Sequence, residues 1–259
     1  MINDEQLIVV GTGIRAIGQL TMETIGWIRS ADKVLYIVAD PVAEQAIRTL
    51  NPDGAESLMP LYGENKPRAE TYKQIVETTT GYVRDGHRVC AAAYGHPGVF
   101  AVSMHEAIRR ARAEGFKARM LPAISAEDCL IADLGIDPVG GCASFEATDY
   151  LLNARVVDQA SHLILWQVGG LGDATYKAYD YEIRGLSQLA RKLMSCYGPN
   201  HVVTLYEAAM FPGVEPFVRS GPLHQLPHGA PSPNSTLYVP PVAQPLPDLA
   251  IRYELGMPG

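Results

Sequence analysis

Several classes of protein are excluded by what the sequence lacks. No apolar run approaches the roughly 20 residues that a membrane-spanning helix needs, so no membrane association is expected. The chain has 21 basic against 28 acidic residues, a formal net charge of −7. This balance argues against nucleic acid as a partner, because phosphate binding requires basic surface. The first six residues have neither the basic nor the apolar region of a signal peptide.

Sequence motifs for metal binding and for common catalytic classes are also missing. The 4 cysteines are scattered without Cys-x-x-Cys spacing, which predicts a reduced, cytoplasmic protein without a cysteine-built metal site. There is no Gly-x-Ser-x-Gly elbow, no P-loop lysine motif and no His-Glu-x-x-His. We therefore expect no metal.

The first half of the chain alternates strand-like and helix-like segments. The predicted elements are strands at 7–10, 34–39, 88–93 and 117–121, helices at 21–30, 68–84 and 102–114, and a helix-like stretch that ends at residue 51. Strands that are separated by helices are typical of βαβ units and of a mostly parallel sheet.

The pattern changes at Pro122. A helix is predicted from Ser125 to Gly135. Beyond it, the predicted elements are strands at 143–147, 163–168, 202–206 and 236–239, and one helix at 181–197. Proline and glycine are dense from residue 211 onward, as in an irregular mixed sheet. We therefore predict an α/β protein of two domains, a mostly parallel one in residues 1–122 and a mixed-sheet one in residues 123–259.

Two glycine-containing loops follow predicted strands. Gly11-Thr12-Gly13 resembles the start of a dinucleotide fingerprint, with Ala16 in place of its third glycine. The alternative is that these glycines only turn the chain, with no phosphate contact. The second loop, residues 94–100, contains two glycines and a proline, which allow the backbone to approach a ligand closely. Its alternative is a tight strand-to-helix turn.

A third candidate segment is polar and begins a predicted helix. Arg68 and Tyr72 are four residues apart, so they share one helix face. An arginine beside a tyrosine favours the phenolate and can stabilise negative charge that develops on an oxygen. The alternative is a solvated arginine next to a tyrosine packed on the core. Ser125 is expected to cap its helix, with Asp128 completing a capping box.

These residues resemble those of a known family. Gly11-Thr12-Gly13, the 94–100 loop, residues 121–128 and Ala208-Ala209-Met210 together resemble the tetrapyrrole-methylase (class III) S-adenosylmethionine methyltransferases. The Gly-x-Gly-Pro-Gly-Asp start of most corrin-methylating members is absent. The segments 11–20, 38–41, 62–72, 146–150, 166–168 and 238–241 instead resemble the borosin peptide backbone α-N-methyltransferases of the omphalotin type, over nearly the whole chain.

The resemblance implies a two-domain tetrapyrrole-methylase-like fold, with S-adenosylmethionine bound between the domains and converted to S-adenosylhomocysteine. It implies that Tyr72 takes the proton of a backbone amide, that Arg68 stabilises the phenolate and the amide oxygen, and that Tyr62 and Tyr94 position the reactants. The implied cofactor-binding residues are Gly11, Gly13, Tyr94, Gly95, His96, Pro97, Val99, Phe100, Ser125, Ala126, Gln167, Tyr206, Ala209, Ser235 and Thr236.

The resemblance also implies a partner. Fused members of the family end in the peptide that they modify and form interlocked homodimers, whereas this chain stops at Gly259. We therefore expect a precursor peptide supplied in trans and a homodimer that binds two such peptides. Two rival functions stay open, a small-molecule methylase of corrin or porphyrin type and a non-catalytic protein that binds S-adenosylmethionine or a nucleotide.

Overall fold

The computed structural model describes residues 5–38, 40–177 and 185–257, and these form two compact units. Unit 1 comprises Met1–Ile136, Asp173–Glu182 and Glu207–Phe217, and unit 2 comprises Asp137–Gly172, Ile183–Tyr206 and Val218–Gly259. Each unit has its own five-stranded sheet.

The sheet of unit 1 is entirely parallel, in the order β3-β2-β4-β1-β5. Its strands are β1 (Leu7–Gly11), β2 (Lys33–Ile37), β3 (Ala55–Ser57), β4 (Val89–Ala93) and β5 (Ala118–Met120). The helices of this part are α1 (Met22–Ser30), α2 (Pro41–Leu50), α3 (Arg68–Arg84), α4 (Val102–Ala113) and α5 (Ala126–Leu134).

Helices cover both faces of this sheet. Ile28 of α1 and Ile47 of α2 belong to the core on one face, whereas Ile75 of α3 and Met104 of α4 belong to the core on the other. Every residue of β1 and of β4 is buried. A strand between two helical layers has no polar face, which explains why these strands are continuous apolar runs in the sequence.

The strand order places a topological switch point between β1 and β4. From β1 the chain crosses to β2 on one side, and from β4 it crosses to β5 on the other side. The two connections leave in opposite directions, so a crevice opens at the carboxyl ends of these strands, where α/β sheets bind ligands. The loops that begin at residues 12 and 94 lie at this edge.

The sheet of unit 2 is mixed, in the order β6-β7-β10-β8-β9. Strand β6 runs parallel to β7, and β10 is antiparallel to both β7 and β8. The strands are β6 (Cys142–Glu146), β7 (His162–Trp166), β8 (Val202–Glu207), β9 (Phe217–Pro222) and β10 (Thr236–Val239), and the helices are α6 (Ala147–Leu152), α7 (Leu186–Tyr197) and α8 (Leu249–Glu254). Leu189 and Leu193 of α7 are fully buried in the core of this unit.

The predicted α/β class is confirmed, with one parallel and one mixed sheet, while some predicted elements are wrong in detail. The strand predicted to reach residue 168 ends at Trp166, because Gln167 adopts a left-handed φ of 59°. The strand predicted to include Ala147 ends at Glu146, whose carboxylate accepts a hydrogen bond from Asp149 N and caps α6.

Other elements were not predicted at all, namely β3, β9, α6 and α8. Ala39 of the predicted second strand, and residues 181–184 of the predicted helix 181–197, lie outside the described residues. None of the helices in the described part is both long and apolar enough to cross a bilayer.

Candidate active site

The loop that follows β1 is held in place by hydrogen bonds from its own amide groups. Its amide groups donate to acceptors of unit 1, namely Thr12 N to Ala93 O, Gly13 N to Gly95 O, Ile14 N and Arg15 N to Gln19 Oε1, and Ala16 N to Met210 O, at 2.7–3.3 Å. A dinucleotide-binding loop leaves such amides for the phosphates of its ligand. Since these amides already have acceptors, the loop does not form a phosphate cradle.

Gly11 lies where three loops of unit 1 meet. A Cβ atom at this position would lie 2.2 Å from Gly95 O, 2.5 Å from Ala123 Cβ and 2.7 Å from Pro97 Cδ. Gly13 has a φ of 73° and pairs with Gly95 through two backbone hydrogen bonds. Gly11 at the end of β1 and Gly13 after it therefore allow the 94–100 loop and the chain after β5 to pack against β1.

The 94–100 loop combines a fixed backbone with exposed apolar side chains. Gly98 N donates to His96 Nδ1 at 3.0 Å, and Phe100 has a φ of 52°, which a residue with a side chain seldom adopts. Tyr94, Val99 and Phe100 are 43%, 41% and 47% exposed. Partial burial of the Tyr94 phenol raises its pKa to about 12, so this hydroxyl stays protonated at neutral pH.

Three further predicted cofactor residues lie in the same unit. Ser125 caps α5 as predicted: its hydroxyl accepts a hydrogen bond from Asp128 N at 3.2 Å and donates one to Asp128 Oδ2 at 2.7 Å. Ala126 is the first residue of that helix, and Ala209 is buried next to Met210, whose carbonyl holds the loop after β1. Unit 1 thus contains every predicted residue from Gly11 to Ala126 together with Ala209.

The other four predicted cofactor residues lie at one end of the sheet of unit 2. Gln167 follows β7, Tyr206 lies near the end of β8, and Ser235 and Thr236 precede and begin β10. Val168 N donates to Ser235 O at 3.0 Å, and Thr236 pairs with Tyr206. Gln167 is exposed, whereas the other three residues are buried.

The predicted catalytic residues of the third segment lie at the beginning of α3. Arg68 is the first residue of the helix, Tyr72 lies one turn later, and Tyr62 precedes the helix. Tyr62 and Tyr72 both pack against the core on the α3 side of the sheet. The tyrosines and the arginine are all partly buried.

A turn at residues 173–177 holds this segment, and the sequence analysis missed it. The Arg68 guanidinium donates to Asp173 O, and the rings of Tyr62 and Tyr176 lie 5.0 Å apart between centroids. The signal that could have found the turn is the Asp-x-Thr spacing of Asp173 and Thr175, which is typical of an Asx turn. Nothing local indicates that its partner lies more than a hundred residues earlier.

Tyr72 lines a groove between α3 and α4. The groove has a volume of about 610 Å³, and its walls include Val76 and Val102. Within residues 5–38, 40–177 and 185–257, the Tyr72 hydroxyl has no hydrogen-bond partner and the Arg68 side chain has no other partner than Asp173 O. None of the described residues therefore occupies the phenol hydroxyl or the remaining guanidinium donors.

No group of three or more histidine, cysteine, aspartate or glutamate side chains that could hold a metal ion occurs in the described part of the chain.

Residues 6–223 match the family described as Tetrapyrrole (Corrin/Porphyrin) Methylases. The chain belongs to this family. Two solved structures of tetrapyrrole methylases share its fold. The uroporphyrin-III C-methyltransferase of Thermus thermophilus has a TM-score of 0.66 at 20% identity, over 98% of this chain and 100% of that one. A cobalt precorrin-4 methyltransferase has a TM-score of 0.65 at 12% identity, over 93% of this chain and 97% of that one.

Curated relatives narrow the resemblance within the tetrapyrrole methylase family. The chain is 45% identical over 245 residues to a "methyltransferase/ribosomally synthesized type I borosin cyclic peptide precursor" of Coprinopsis marcescibilis, covering 92% of this chain and 62% of that protein. It is 44% identical over 243 residues to the corresponding dendrothelin A precursor of Dendrothele bispora, covering 92% of this chain and 58% of that protein. It is 42% identical over 256 residues to the omphalotin A precursor of Omphalotus olearius, covering 97% of this chain and 61% of that protein. The predicted resemblance to borosin proteins is thereby confirmed, and the chain spans about three-fifths of the length of these relatives.

Proposed function

We propose that this chain is an S-adenosylmethionine-dependent methyltransferase that methylates backbone amide nitrogens of a ribosomally made precursor peptide. The observation that carries the proposal is its 42–45% identity, over most of its length, to proteins named as methyltransferases fused to borosin peptide precursors. The site at the start of α3 adds a chemical reason, because it presents a phenol and an arginine one helical turn apart.

The residues of the 94–100 loop fit the cofactor. S-adenosylmethionine carries a cationic sulfur, which is attracted to aromatic faces, and an adenosyl group that needs apolar surface. Tyr94, Val99 and Phe100 offer both at the carboxyl end of β4, beside the switch point. We propose that this loop holds the cofactor together with Gly11, Gly13, Gly95, His96, Pro97, Ser125, Ala126 and Ala209 of unit 1. The resemblance implies the same role for Gln167, Tyr206, Ser235 and Thr236.

The proposed reaction needs a base and a group that stabilises negative charge. When bound, S-adenosylmethionine supplies the methyl group as an electrophile and becomes S-adenosylhomocysteine. The phenolate form of Tyr72 accepts the proton of the substrate amide and becomes the neutral phenol, while guanidinium donors of Arg68 stabilise the charge that develops on the amide oxygen. Tyr94 keeps its proton at neutral pH, so its proposed role is to donate a hydrogen bond and to orient the reactants with Tyr62.

The rest of the predicted assembly belongs to the same proposal. By resemblance to the fused family, we propose a homodimer that binds two precursor peptides. Light scattering of the purified protein, alone and with peptide, tests both statements. The proposed location is the cytoplasm, where Cys90, Cys129, Cys142 and Cys196, which form no disulfide within the described residues, would stay reduced.

The deciding experiment incubates the purified protein with S-adenosylmethionine and an apolar precursor peptide, and locates added methyl groups by tandem mass spectrometry. The proposal expects methyl groups on backbone nitrogens. Methylation of side chains only, or of an added corrin or porphyrin but not of peptide, would refute it. Binding of S-adenosylmethionine without any transfer would favour a non-catalytic protein.

A further inference from the structure

We infer that Asp173 is a positioning residue for Arg68 in the proposed methyl transfer, acting through the turn that it forms with Thr175. The inference rests on the proposed function. It concerns a part of the chain distant in sequence from α3 but packed against the start of that helix within unit 1.

Asp173 shapes the turn through its own carboxylate. Asp173 Oδ1 accepts hydrogen bonds from Thr175 N at 2.8 Å and from Thr175 Oγ1 at 2.7 Å, and Lys177 Nζ lies 3.6 Å from Asp173 Oδ2. These hydrogen bonds, above all the one from the Thr175 hydroxyl, hold the pKa of Asp173 below its usual range. An Asx turn of this kind fixes the backbone of the following two residues.

The fixed backbone pairs with the segment that leads into α3. Asn65 N donates to Tyr176 O and Tyr176 N to Lys66 O, both at 2.9 Å, and Pro67 and Thr175 form an antiparallel bridge. The 65–68 segment is therefore held as a short antiparallel pair with the turn.

The same turn completes the N-terminus of α3. The first amide groups of a helix have no acceptor within the helix, and Pro67, at the N-cap position, offers no side-chain acceptor. Ala174 O accepts the hydrogen bond of Arg68 N at 3.0 Å. A backbone carbonyl of the turn thus replaces the missing cap at the residue whose side chain is proposed to act in the reaction.

The Arg68 side chain is anchored by the turn as well. Its Nη2 group donates to Asp173 O, so the guanidinium and the backbone amide of Arg68 bind the consecutive carbonyls of Asp173 and Ala174. One anchored donor restricts the rotamers of the long side chain and leaves the other donors free to meet an amide oxygen. A loss of the turn would leave Arg68 charged but free to move.

The test compares Asp173→Ala with Asp173→Asn in the full-length protein. Asparagine keeps the Oδ1 acceptor and hence the Asx turn, whereas alanine removes it. We expect Asp173→Ala to lower kcat by roughly 10- to 100-fold, the effect of misplacing a catalytic group by about 1 Å, with the KM for S-adenosylmethionine changed by less than about 3-fold. Asp173→Asn should retain most of the wild-type kcat. An unchanged kcat in Asp173→Ala would overturn the inference.

A double-mutant cycle tests whether Asp173 acts through Arg68. In an Arg68→Ala background, the Asp173→Ala change should lower kcat by less than about 2-fold, because the group that it positions is already gone. The same fold loss in both backgrounds would overturn the inference, since Asp173 would then act independently of Arg68.

Hydrogen exchange gives a readout that does not need turnover. The amides of residues 65–72 should exchange faster in Asp173→Ala and at the wild-type rate in Asp173→Asn. Unchanged exchange rates in Asp173→Ala would show that the turn does not fix the start of α3, and this result does not depend on whether the protein methylates peptide. A wild-type protein that transfers no methyl groups would refute the proposed function, and the exchange result would then decide the role of the turn alone.

Discussion

The substitution Gly11→Ala tests how closely the loops around the candidate cofactor site are packed. An added Cβ atom would lie 2.2 Å from Gly95 O, about 1.2 Å short of an ordinary van der Waals contact at 3.4 Å, and would also press on Ala123 and Pro97. Backbone and proline atoms cannot move aside as a flexible side chain can, so the 94–100 loop must shift as a whole.

The expected cost is at the upper end of what overpacking causes, about 3 kcal/mol. For a chain of this size, each kcal/mol lowers Tm by about 2–4 °C, so Gly11→Ala should melt roughly 6–12 °C below the wild type. The matched control is Gly26→Ala in α1, where an added Cβ meets nothing within 4 Å. Alanine in a helix interior should stabilise that variant by about 0.5–1 kcal/mol.

Thermal unfolding and calorimetric binding of S-adenosylmethionine measure both variants. We expect Gly11→Ala to bind the cofactor about 10-fold more weakly, since a loss of about 1.4 kcal/mol of contacts to the displaced loop is tenfold in affinity, and Gly26→Ala to bind like the wild type. A Gly11→Ala protein with wild-type Tm and affinity would refute the close packing of the three loops.

Three further perturbations have defined outcomes. Tyr72→Phe should lower turnover by about 10²-fold or more, as expected for loss of a general base, with cofactor affinity unchanged by calorimetry; normal turnover would exclude Tyr72 as the base. The free energy of unfolding of Gln167→Gly should be about 1 kcal/mol higher than that of Gln167→Ala, because glycine adopts the left-handed φ of 59° without strain and alanine does not. Equal free energies of unfolding would contradict this. The pKa of Asp173 is lowered in the folded protein, so its carboxylate stabilises the fold at pH values above its ordinary pKa of 3.8. This stabilisation is lost as the pH falls through the lower pKa of the folded state. Between pH 5 and pH 3, Tm should therefore fall less in Asp173→Asn than in the wild type.

Local interactions made part of the structure predictable from the sequence. The capping box of Ser125 and Asp128 closes within one helical turn, and the sequence shows it directly. Strands β1 and β4 were predictable because strands buried on both faces must be apolar throughout. The predicted range of α3, residues 68–84, is confirmed without change.

Interactions between distant segments were not predictable. Strand β3 has only three residues, and it is a strand because Ala55 pairs with Val34 of β2. The turn at Asp173 is local, but its role at α3 depends on contacts across more than a hundred residues. The site shows the same limit, because the sequence identified Arg68 and Tyr72 by resemblance, whereas the groups that hold Arg68 became visible only in the fold.

The central claim is that the chain transfers methyl groups from S-adenosylmethionine to peptide backbone nitrogens with Tyr72 as the base. The most direct measurement is tandem mass spectrometry of an apolar precursor peptide after incubation with the wild-type protein or with Tyr72→Phe. We predict backbone N-methyl groups with the wild-type protein and almost none with the variant, at equal cofactor binding. Unmodified peptide with the wild-type protein, or methyl groups confined to side chains, would contradict the claim.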